Sequence, residues 1–222
     1  MAEYKVVEKF ISINGEGRKA GQITCFIRFQ LCNLDCTYCD TKWANTMDSE
    51  YELMNEREIT NWVISTGIKN VTITGGEPLL QKNIDILLKE LINYGIEIEI
   101  ETNGSVDISK IISLGEDNLI ITLDYKLPSS GMENQMNLDN YKYLRKVDVV
   151  KFVIGSYEDL LKTEHIIKKY DLVERTNVYL SPVFGEIEPK EIVEFILDRR
   201  LNGVNIQLQM HKFIWDPEMR GV

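Results

Sequence analysis

Apolar residues follow two different spacings along the chain, and these spacings predict strands separated by helices. Buried strands are predicted for the short apolar runs 4–13, 23–31, 71–74, 96–101, 119–123, 149–154, 177–180 and 204–208. Between several of them, apolar residues recur at helical spacing, as in 83–94 and 156–170. Strands that alternate with helices pair in parallel through right-handed crossovers, so the pattern predicts an α/β fold.

Capping and turn residues set the ends of the predicted helices. Asn55 and Glu58 form the Asn-x-x-Glu pattern of a capped helix start, Ser156 is a predicted N-cap, and Pro189 is predicted to begin the last helix. Gly95 closes the helix at 83–94. Shorter helices are predicted at 109–114 and near 140–145.

The number of strand–helix units limits the choice of α/β fold. Six or seven such units fit after Ile23, which is fewer than a closed eight-stranded barrel requires. We therefore predict a partial (β/α) barrel of about six parallel strands, with a doubly wound sheet as the alternative. Residues 1–222 are expected to form one domain, with the strand at 4–13 as an N-terminal extension.

Polar segments follow directly after six of the predicted strands. They are residues 32–41, 74–78, 101–104, 124–126, 181–182 and 209–212. Ligands of barrels and open α/β sheets bind at the carboxyl edge of the strands. We therefore expect these six segments to face one cavity.

Three of the four cysteines lie close together, as Cys32, Cys36 and Cys39 in a C-x3-C-x2-C pattern. Structural zinc sites usually take four ligands, whereas iron–sulfur clusters are held by thiolates alone. A triad without a nearby fourth ligand favours a cubane with three irons held by the protein and one iron open. Zinc completed by His211 or Cys25 is the alternative, although Cys25, in an apolar strand, is more typical of a core residue.

Composition and charge exclude several classes of partner. The 222 residues include 35 acidic and 25 basic side chains, a net charge of -10, so a nucleic-acid partner is not expected. The sequence contains no apolar stretch of membrane-spanning length and no signal-peptide pattern at its start. We therefore expect a cytoplasmic protein without a membrane partner, in which reduced cysteines are available to a metal.

Two motifs together resemble the radical S-adenosylmethionine (SAM) superfamily. They are the cysteine triad, with Tyr38 before its last member, and the downstream Gly75-Gly76-Glu77-Pro78. Further segments are similar to the 7-carboxy-7-deazaguanine synthase family over nearly the whole chain, namely residues 12–17, 26–29, 32–34, 40–43, 74–81, 101–104 and 211–212. The resemblance implies a [4Fe–4S] cluster, SAM bound to its open iron through amino and carboxylate groups, and Mg²⁺.

The resemblance also implies a reaction. The family converts 6-carboxy-5,6,7,8-tetrahydropterin to 7-carboxy-7-deazaguanine with loss of ammonia, a step towards queuosine and other deazapurines. The reduced cluster cleaves SAM, and the resulting radical removes hydrogen from C6 of the pterin before the ring contracts. Implied partners are the pterin, flavodoxin or ferredoxin as electron donor, and a second copy in a homodimer. The alternative is an activase of a glycyl-radical enzyme or of anaerobic ribonucleotide reductase.

Site residues are implied by the same resemblance, residue by residue. The cluster ligands are Cys32, Cys36 and Cys39, and Thr41 is the implied Mg²⁺ ligand. The implied SAM contacts are Tyr38, Cys39, Asp40, Gly76, Asp124, Tyr125, Lys126, Ser181, Pro182, Val183 and Phe184. The implied substrate contacts are Ile13, Asn14, Gly15, Arg28, Thr74 and Pro217, the last on a C-terminal tail expected to cap the substrate. The chemistry is expected from the cofactor radical, with no catalytic side chain.

Five residues at four places in the chain depart from the usual family pattern. Asn14 stands where glutamine is usual, Asp124-Tyr125 where Ser-Pro is usual, Ser181 where glutamine is frequent, and Met210 where threonine is frequent. No departure removes a cluster ligand. Arg28 keeps the planar fork that suits a carboxylate ligand.

Overall fold

The computed structural model describes residues 2–114 and 118–222, in which nine strands form one sheet. The strands are β1 (Glu3–Ile13), β2 (Ile23–Phe29), β3 (Glu52–Asn55), β4 (Asn70–Gly75), β5 (Glu97–Thr102), β6 (Leu119–Tyr125), β7 (Val149–Ile154), β8 (Asn177–Pro182) and β9 (Val204–Ile206). The helices are α1 (Glu56–Thr66), α2 (Ile84–Asn93), α3 (Ser109–Ile112), α4 (Tyr157–Tyr170), α5 (Leu172–Arg175), α6 (Pro189–Arg199) and α7 (His211–Ile214).

Strand order identifies the sheet as an open partial barrel. The order is β3-β1-β2-β4-β5-β6-β7-β8-β9, with β3 and β9 at the two edges. All pairs from β2 to β9 are parallel, whereas β1 pairs in antiparallel fashion with β2 and β3. From β4 onwards the strands follow chain order without reversal, so right-handed crossovers place the helices on one face. This confirms the partial barrel and excludes the doubly wound alternative.

The two faces of the parallel sheet differ sharply in polarity. On the helix face, Ile27, Ile73, Ile100 and Ile121 pair in register across four strands and are at most 1% exposed. Arg28, Thr74 and Glu101 follow the first three of these isoleucines directly and face the other side of the sheet. Asp124 and Lys151, which pair with each other on β6 and β7, extend this polar wall. Because side chains alternate between faces, an apolar core and a polar wall are built from the same strands.

A β-bulge at Val7 changes which face the side chains of β1 occupy. Val6 pairs with Phe29 and Glu8 with Arg28, which leaves Val7 as an extra residue. Before the bulge, Val6 is buried in the core beneath the helices. After the bulge, Glu8 lines the cavity on the polar face. A strand without the bulge would have placed Glu8 on the same face as Val6, in the core. The sequence prediction of one regular strand at 4–13 did not include this change.

The predicted helix starts are confirmed, and the differences are local. Asn55 caps α1 in a capping box, Ser156 caps α4, and Pro189 begins α6. The segment near 140–145 is a 3-10 helix (Leu138–Tyr143) and not an α-helix, and the Asn140 side chain within it bonds the backbone of residues 104, 106 and 108. The short elements β3, α5 and α7 were not predicted.

Candidate active site

A cavity of about 600 Å³ opens at the carboxyl ends of the parallel strands. Five of the six predicted polar segments line it, together with residues 13–16 and the C-terminal residues 217–222. The sixth segment, 181–182, does not line the cavity, whereas the next residues, 183 and 184, do. No helix in the described part of the chain is long and apolar enough to cross a membrane.

The turn between β1 and β2, residues 14–19, forms the floor of this cavity. Buried Glu99 accepts hydrogen bonds from Asn14 Nδ2 at 3.1 Å and from the backbone N–H groups of Arg18 and Lys19 at 2.8 and 3.2 Å. Gln207 accepts from the N–H of Gly17 at 2.8 Å and donates to its carbonyl at 2.9 Å. The two ends of the chain therefore meet at the floor, opposite the cysteine loop.

The three clustered cysteines line the cavity as free thiols. Asn103 Nδ2 lies 3.6 Å from Cys32 Sγ, and Asn45 Nδ2 lies 3.4 Å from Cys39 Sγ. Hydrogen bonds to sulfur are among the features that tune iron–sulfur clusters. Burial raises the pKa of the Cys32 and Cys36 thiols, so a bound cationic centre is needed to stabilise them as thiolates.

The arrangement of donors fits a cubane better than a single ion. Among residues 2–114 and 118–222, no three His, Cys, Asp or Glu side chains form a group that could hold one metal ion. A cubane needs the thiolates around its corners, each on a different iron, and not converging on one point. The proposed fourth zinc ligand Cys25 is fully buried in β2 and bonded to Thr66 Oγ1 at 3.3 Å. The structure therefore gives no support to the zinc alternative.

The Gly75-Gly76 strand end packs directly against the cysteine loop. A Cβ at residue 76 would lie 2.0 Å from the carbonyl oxygen of Leu31 and 2.7 Å from the backbone nitrogen of Cys32. The N–H of Glu77 donates to the same Leu31 oxygen at 2.8 Å. Glycine at residue 76 is therefore required by this backbone approach.

Glu77 orders the ends of two strands. Its fully buried carboxylate accepts hydrogen bonds from the N–H of Asn103 at 2.6 Å, from Thr102 Oγ1 at 2.8 Å and from the N–H of Leu79 at 3.0 Å. It does not line the cavity. The structure therefore assigns Glu77 an ordering role through hydrogen bonds and not a direct contact with a ligand in the cavity.

A buried charge network crosses the polar wall. Lys151 Nζ, on a side chain 7% exposed, lies 3.2 Å from Asp124 Oδ1 and 3.5 Å from Glu16 Oε2, while Lys126 Nζ lies 2.8 Å from Asp124 Oδ2. Burial alone would lower the pKa of Lys151, but the carboxylates of Asp124, Glu16 and Glu101 outweigh it and hold that pKa well above its usual value. For Asp124, burial is outweighed by the two lysines, which lower its pKa. Both groups are charged at neutral pH.

Glu101 is the least strongly paired carboxylate of the wall. Its Oε2 accepts a hydrogen bond from Thr74 Oγ1 at 3.2 Å. Burial raises the pKa of Glu101 to about 7, opposed by Lys151 and reinforced by the neighbouring Glu16 carboxylate. Glu101 therefore exchanges a proton near neutral pH inside the cavity.

Glu101→Gln should flatten the dependence of stability on pH. The folded protein holds the Glu101 proton more tightly than the unfolded chain, so the free energy of unfolding falls as pH rises from the ordinary glutamate pKa of 4.5 to about 7. That contribution reaches about 3 kcal/mol at most. Thermal unfolding midpoints at about pH 5.5 and about pH 8 should differ less in Glu101→Gln than in the unaltered protein. Glu97→Gln, at an exposed position of the same strand, is the control; equal pH dependence in all three proteins would contradict the assignment.

Most predicted site residues are brought together in the cavity. It is lined by Ile13, Asn14, Gly15, Arg28, Cys32, Cys36, Tyr38, Cys39, Asp40, Thr41, Thr74, Gly76, Asp124, Lys126, Val183, Phe184 and Pro217.

Three predicted SAM contacts, Tyr125, Ser181 and Pro182, do not line the cavity. Tyr125 alternates with Asp124 and so lies on the helix face, where its ring packs 5.6 Å from that of Phe152. Ser181 is fully buried behind the floor, with its Oγ 3.3 Å from Glu16 Oε1.

Several cavity residues were not identified from the sequence, among them Glu8, Phe10, Asn45 and Lys151. Lys151 carried a signal, because a lone lysine within an apolar strand is seldom buried without a partner. The placement of Glu8 and Phe10 depends on the bulge at Val7, for which the sequence pattern offers no signal.

Comparison with known proteins identifies the family. The model of the Radical SAM superfamily matches residues 26–127. A 7-carboxy-7-deazaguanine synthase of Clostridium acetobutylicum is 54% identical over 220 residues, which cover 99% of each chain. One from Methanospirillum hungatei is 38% identical over 214 residues, 96% of this chain and 86% of the relative.

The fold agrees with this relationship. The crystal structure of QueE from Escherichia coli matches with a TM-score of 0.76 over 94% of this chain and 95% of that chain, at 20% identity. SuiB of Streptococcus suis matches less closely, with a TM-score of 0.60 over 81% of this chain and 47% of its own. These two structures show likeness of fold, whereas the full-length identities show common family. The chain belongs to the 7-carboxy-7-deazaguanine synthase family of the radical SAM superfamily.

Proposed function

We propose that the protein converts 6-carboxy-5,6,7,8-tetrahydropterin to 7-carboxy-7-deazaguanine and ammonia, a step of deazapurine and queuosine biosynthesis. The observation that carries the proposal is that one cavity is lined by the three cysteines, by residues 14–16 of the β1–β2 turn and by Arg28. The product and ammonia together contain all the atoms of the substrate, so the overall conversion needs no added oxidant or reductant.

The residues of the cavity fit a [4Fe–4S] cluster and SAM. Cys32, Cys36 and Cys39 would hold the cluster, which together with SAM supplies one-electron chemistry that removes a hydrogen atom from carbon. Ten further residues would hold SAM: Tyr38, Asp40, Gly76, Asp124, Lys126, Val183 and Phe184 at the cavity surface, and Tyr125, Ser181 and Pro182 through the strand ends that they form.

The substrate would lie between the cysteine loop and the floor. Arg28 is suited to its carboxylate, Thr74 and Asn14 offer polar groups, Ile13 and Gly15 form the floor, and Pro217 brings the C-terminal tail over it. The Thr41 hydroxyl, 3.1 Å from Asp40 Oδ1, supplies the hard oxygen that Mg²⁺ prefers.

Partners and compartment are part of the proposal. A one-electron donor of the flavodoxin or ferredoxin kind would reduce the cluster, and the protein would act in the cytoplasm as a homodimer.

Anaerobic turnover tests the function. Protein reconstituted with iron and sulfide should form 7-carboxy-7-deazaguanine and ammonia in equal amounts from the carboxylated pterin, SAM and a reductant. Cleavage of SAM without any deazaguanine would contradict the substrate. Stable binding to a large reductase, together with no binding of the pterin, would instead support the activase alternative.

A further inference from the structure

Glu8 and Arg28 form a cross-strand pair on the cavity wall. They face each other in the β1–β2 register directly after the bulge, and both side chains line the cavity. Arg28 Nε donates to Glu8 Oε1 at 2.7 Å, with the two side chains 17% and 20% exposed. Within residues 2–114 and 118–222, this is the one hydrogen bond or ion pair that Arg28 makes.

The atom through which Arg28 is held determines what it can offer. The guanidinium group is planar and carries its N–H donors in a fixed fork. Because Glu8 occupies the Nε–H, the group is fixed in its plane while the edge formed by the two Nη atoms is left for another acceptor. That edge binds a carboxylate through two parallel hydrogen bonds.

An aromatic surface adjoins the pair. Phe10 and Phe26 stand opposite each other in the same register, with ring centroids 4.8 Å apart and planes within 12°. Both line the cavity, two residues from Glu8 and Arg28 along their strands. The four side chains together present an apolar aromatic surface beside a charged fork, which suits a ligand that has both a planar ring and a carboxylate.

We infer that Glu8 is a positioning residue, which holds Arg28 by its Nε so that the Nη edge meets the carboxylate of the substrate beside the Phe10–Phe26 surface. The inference rests on the proposed function, because the carboxylated pterin is the ligand that this edge would bind. A different role for Glu8 would be to compete with the ligand carboxylate for Arg28. The two roles differ in the sign of the effect when Glu8 is removed.

Two substitutions of Glu8 distinguish its hydrogen bond to Arg28 Nε from its negative charge. Glu8→Gln keeps an oxygen that accepts from Nε but loses the charge, whereas Glu8→Ala loses both. Glu8→Ala should weaken binding of 6-carboxytetrahydropterin roughly tenfold, which would raise KM with little change in kcat, and Glu8→Gln should restore most of the affinity. Affinity for tetrahydropterin without the carboxylate should stay unchanged. Calorimetry on the reconstituted protein measures the affinities, and Glu52→Gln, whose Lys9 partner neighbours Glu8 on β1, is the control.

A measurement that needs no pterin tests the hold of Glu8 on Arg28 separately from the proposed function. In ¹⁵N-labelled protein, the Arg28 Nε–H signal should be protected from exchange in the unaltered protein and in Glu8→Gln, and should lose that protection in Glu8→Ala. Stronger carboxylate binding in both variants would show competition and overturn the positioning role, as would unchanged affinity in Glu8→Ala. If the unaltered protein binds no pterin while the Nε–H signal behaves as expected, the proposed function fails and the hold of Glu8 on Arg28 stands.

Discussion

Cys36→Ala should abolish the iron–sulfur cluster and lower turnover by at least about a thousandfold, equivalent to about 4 kcal/mol. Cys36 is a buried thiol on the cavity wall, and two remaining thiolates cannot replace its bond to iron. The measurement is iron content and visible absorbance after anaerobic reconstitution, followed by product formation.

Cys25→Ala is the matched control for this change. Cys25 is fully buried in the core beneath the helices, so its loss should cost about 1 kcal/mol of stability but leave the iron content unchanged. Full cluster occupancy in Cys36→Ala, or equal loss of iron in both variants, would remove Cys36 from the ligand set.

Gly76→Ala should destabilise the protein by about 3 kcal/mol or more and disturb the cysteine loop as well. The added Cβ would meet two backbone atoms, Leu31 O at 2.0 Å and Cys32 N at 2.7 Å, and backbone cannot rotate away as a side chain can. Urea unfolding of the cluster-free protein measures the stability, and iron content after reconstitution measures the loop.

Gly95→Ala separates this steric effect from the general loss of a glycine. Gly95 follows α2 in the left-handed region with open space around its Cβ position, so alanine there should cost only about 1 to 2 kcal/mol of backbone strain. Its distance from the cysteine loop predicts normal iron content. A Gly76→Ala protein that is as stable as Gly95→Ala would show that the loop adapts to the extra methyl group.

The architecture and the cysteine loop were predictable because their signals are local. Strand runs, helix caps and the C-x3-C-x2-C spacing each involve residues that are close in sequence, and the polar segments after strands converge once the strands are parallel. Alternation along each strand already indicates which side chains share a face, as for Arg28 and Thr74 beside the buried Ile27 and Ile73.

The other features of the cavity depend on geometry that the apolar pattern of a single strand does not specify. One extra residue at Val7 transfers Glu8 to the other face, and nothing in the sequence of β1 distinguishes this from regular alternation. Likewise Tyr125 was grouped with its neighbours, although its position next to Asp124 in a strand places the two side chains on opposite faces. The role of Glu99 required the turn at 14–19 to be seen against β5.

The floor of the cavity also has a consequence for how the protein is made. Gln207 holds Gly17 from 190 positions away, and the N–H of Met210 bonds the carbonyl of Gly15 at 3.1 Å. A ribosome that has released only the first half of the chain has exposed all three cluster cysteines but none of the segment that completes the floor. Contacts of such long range form late in folding. The nascent chain therefore presents its metal-binding thiols well before it can enclose a substrate, and the pocket is complete only after residues 207–222 have left the ribosome.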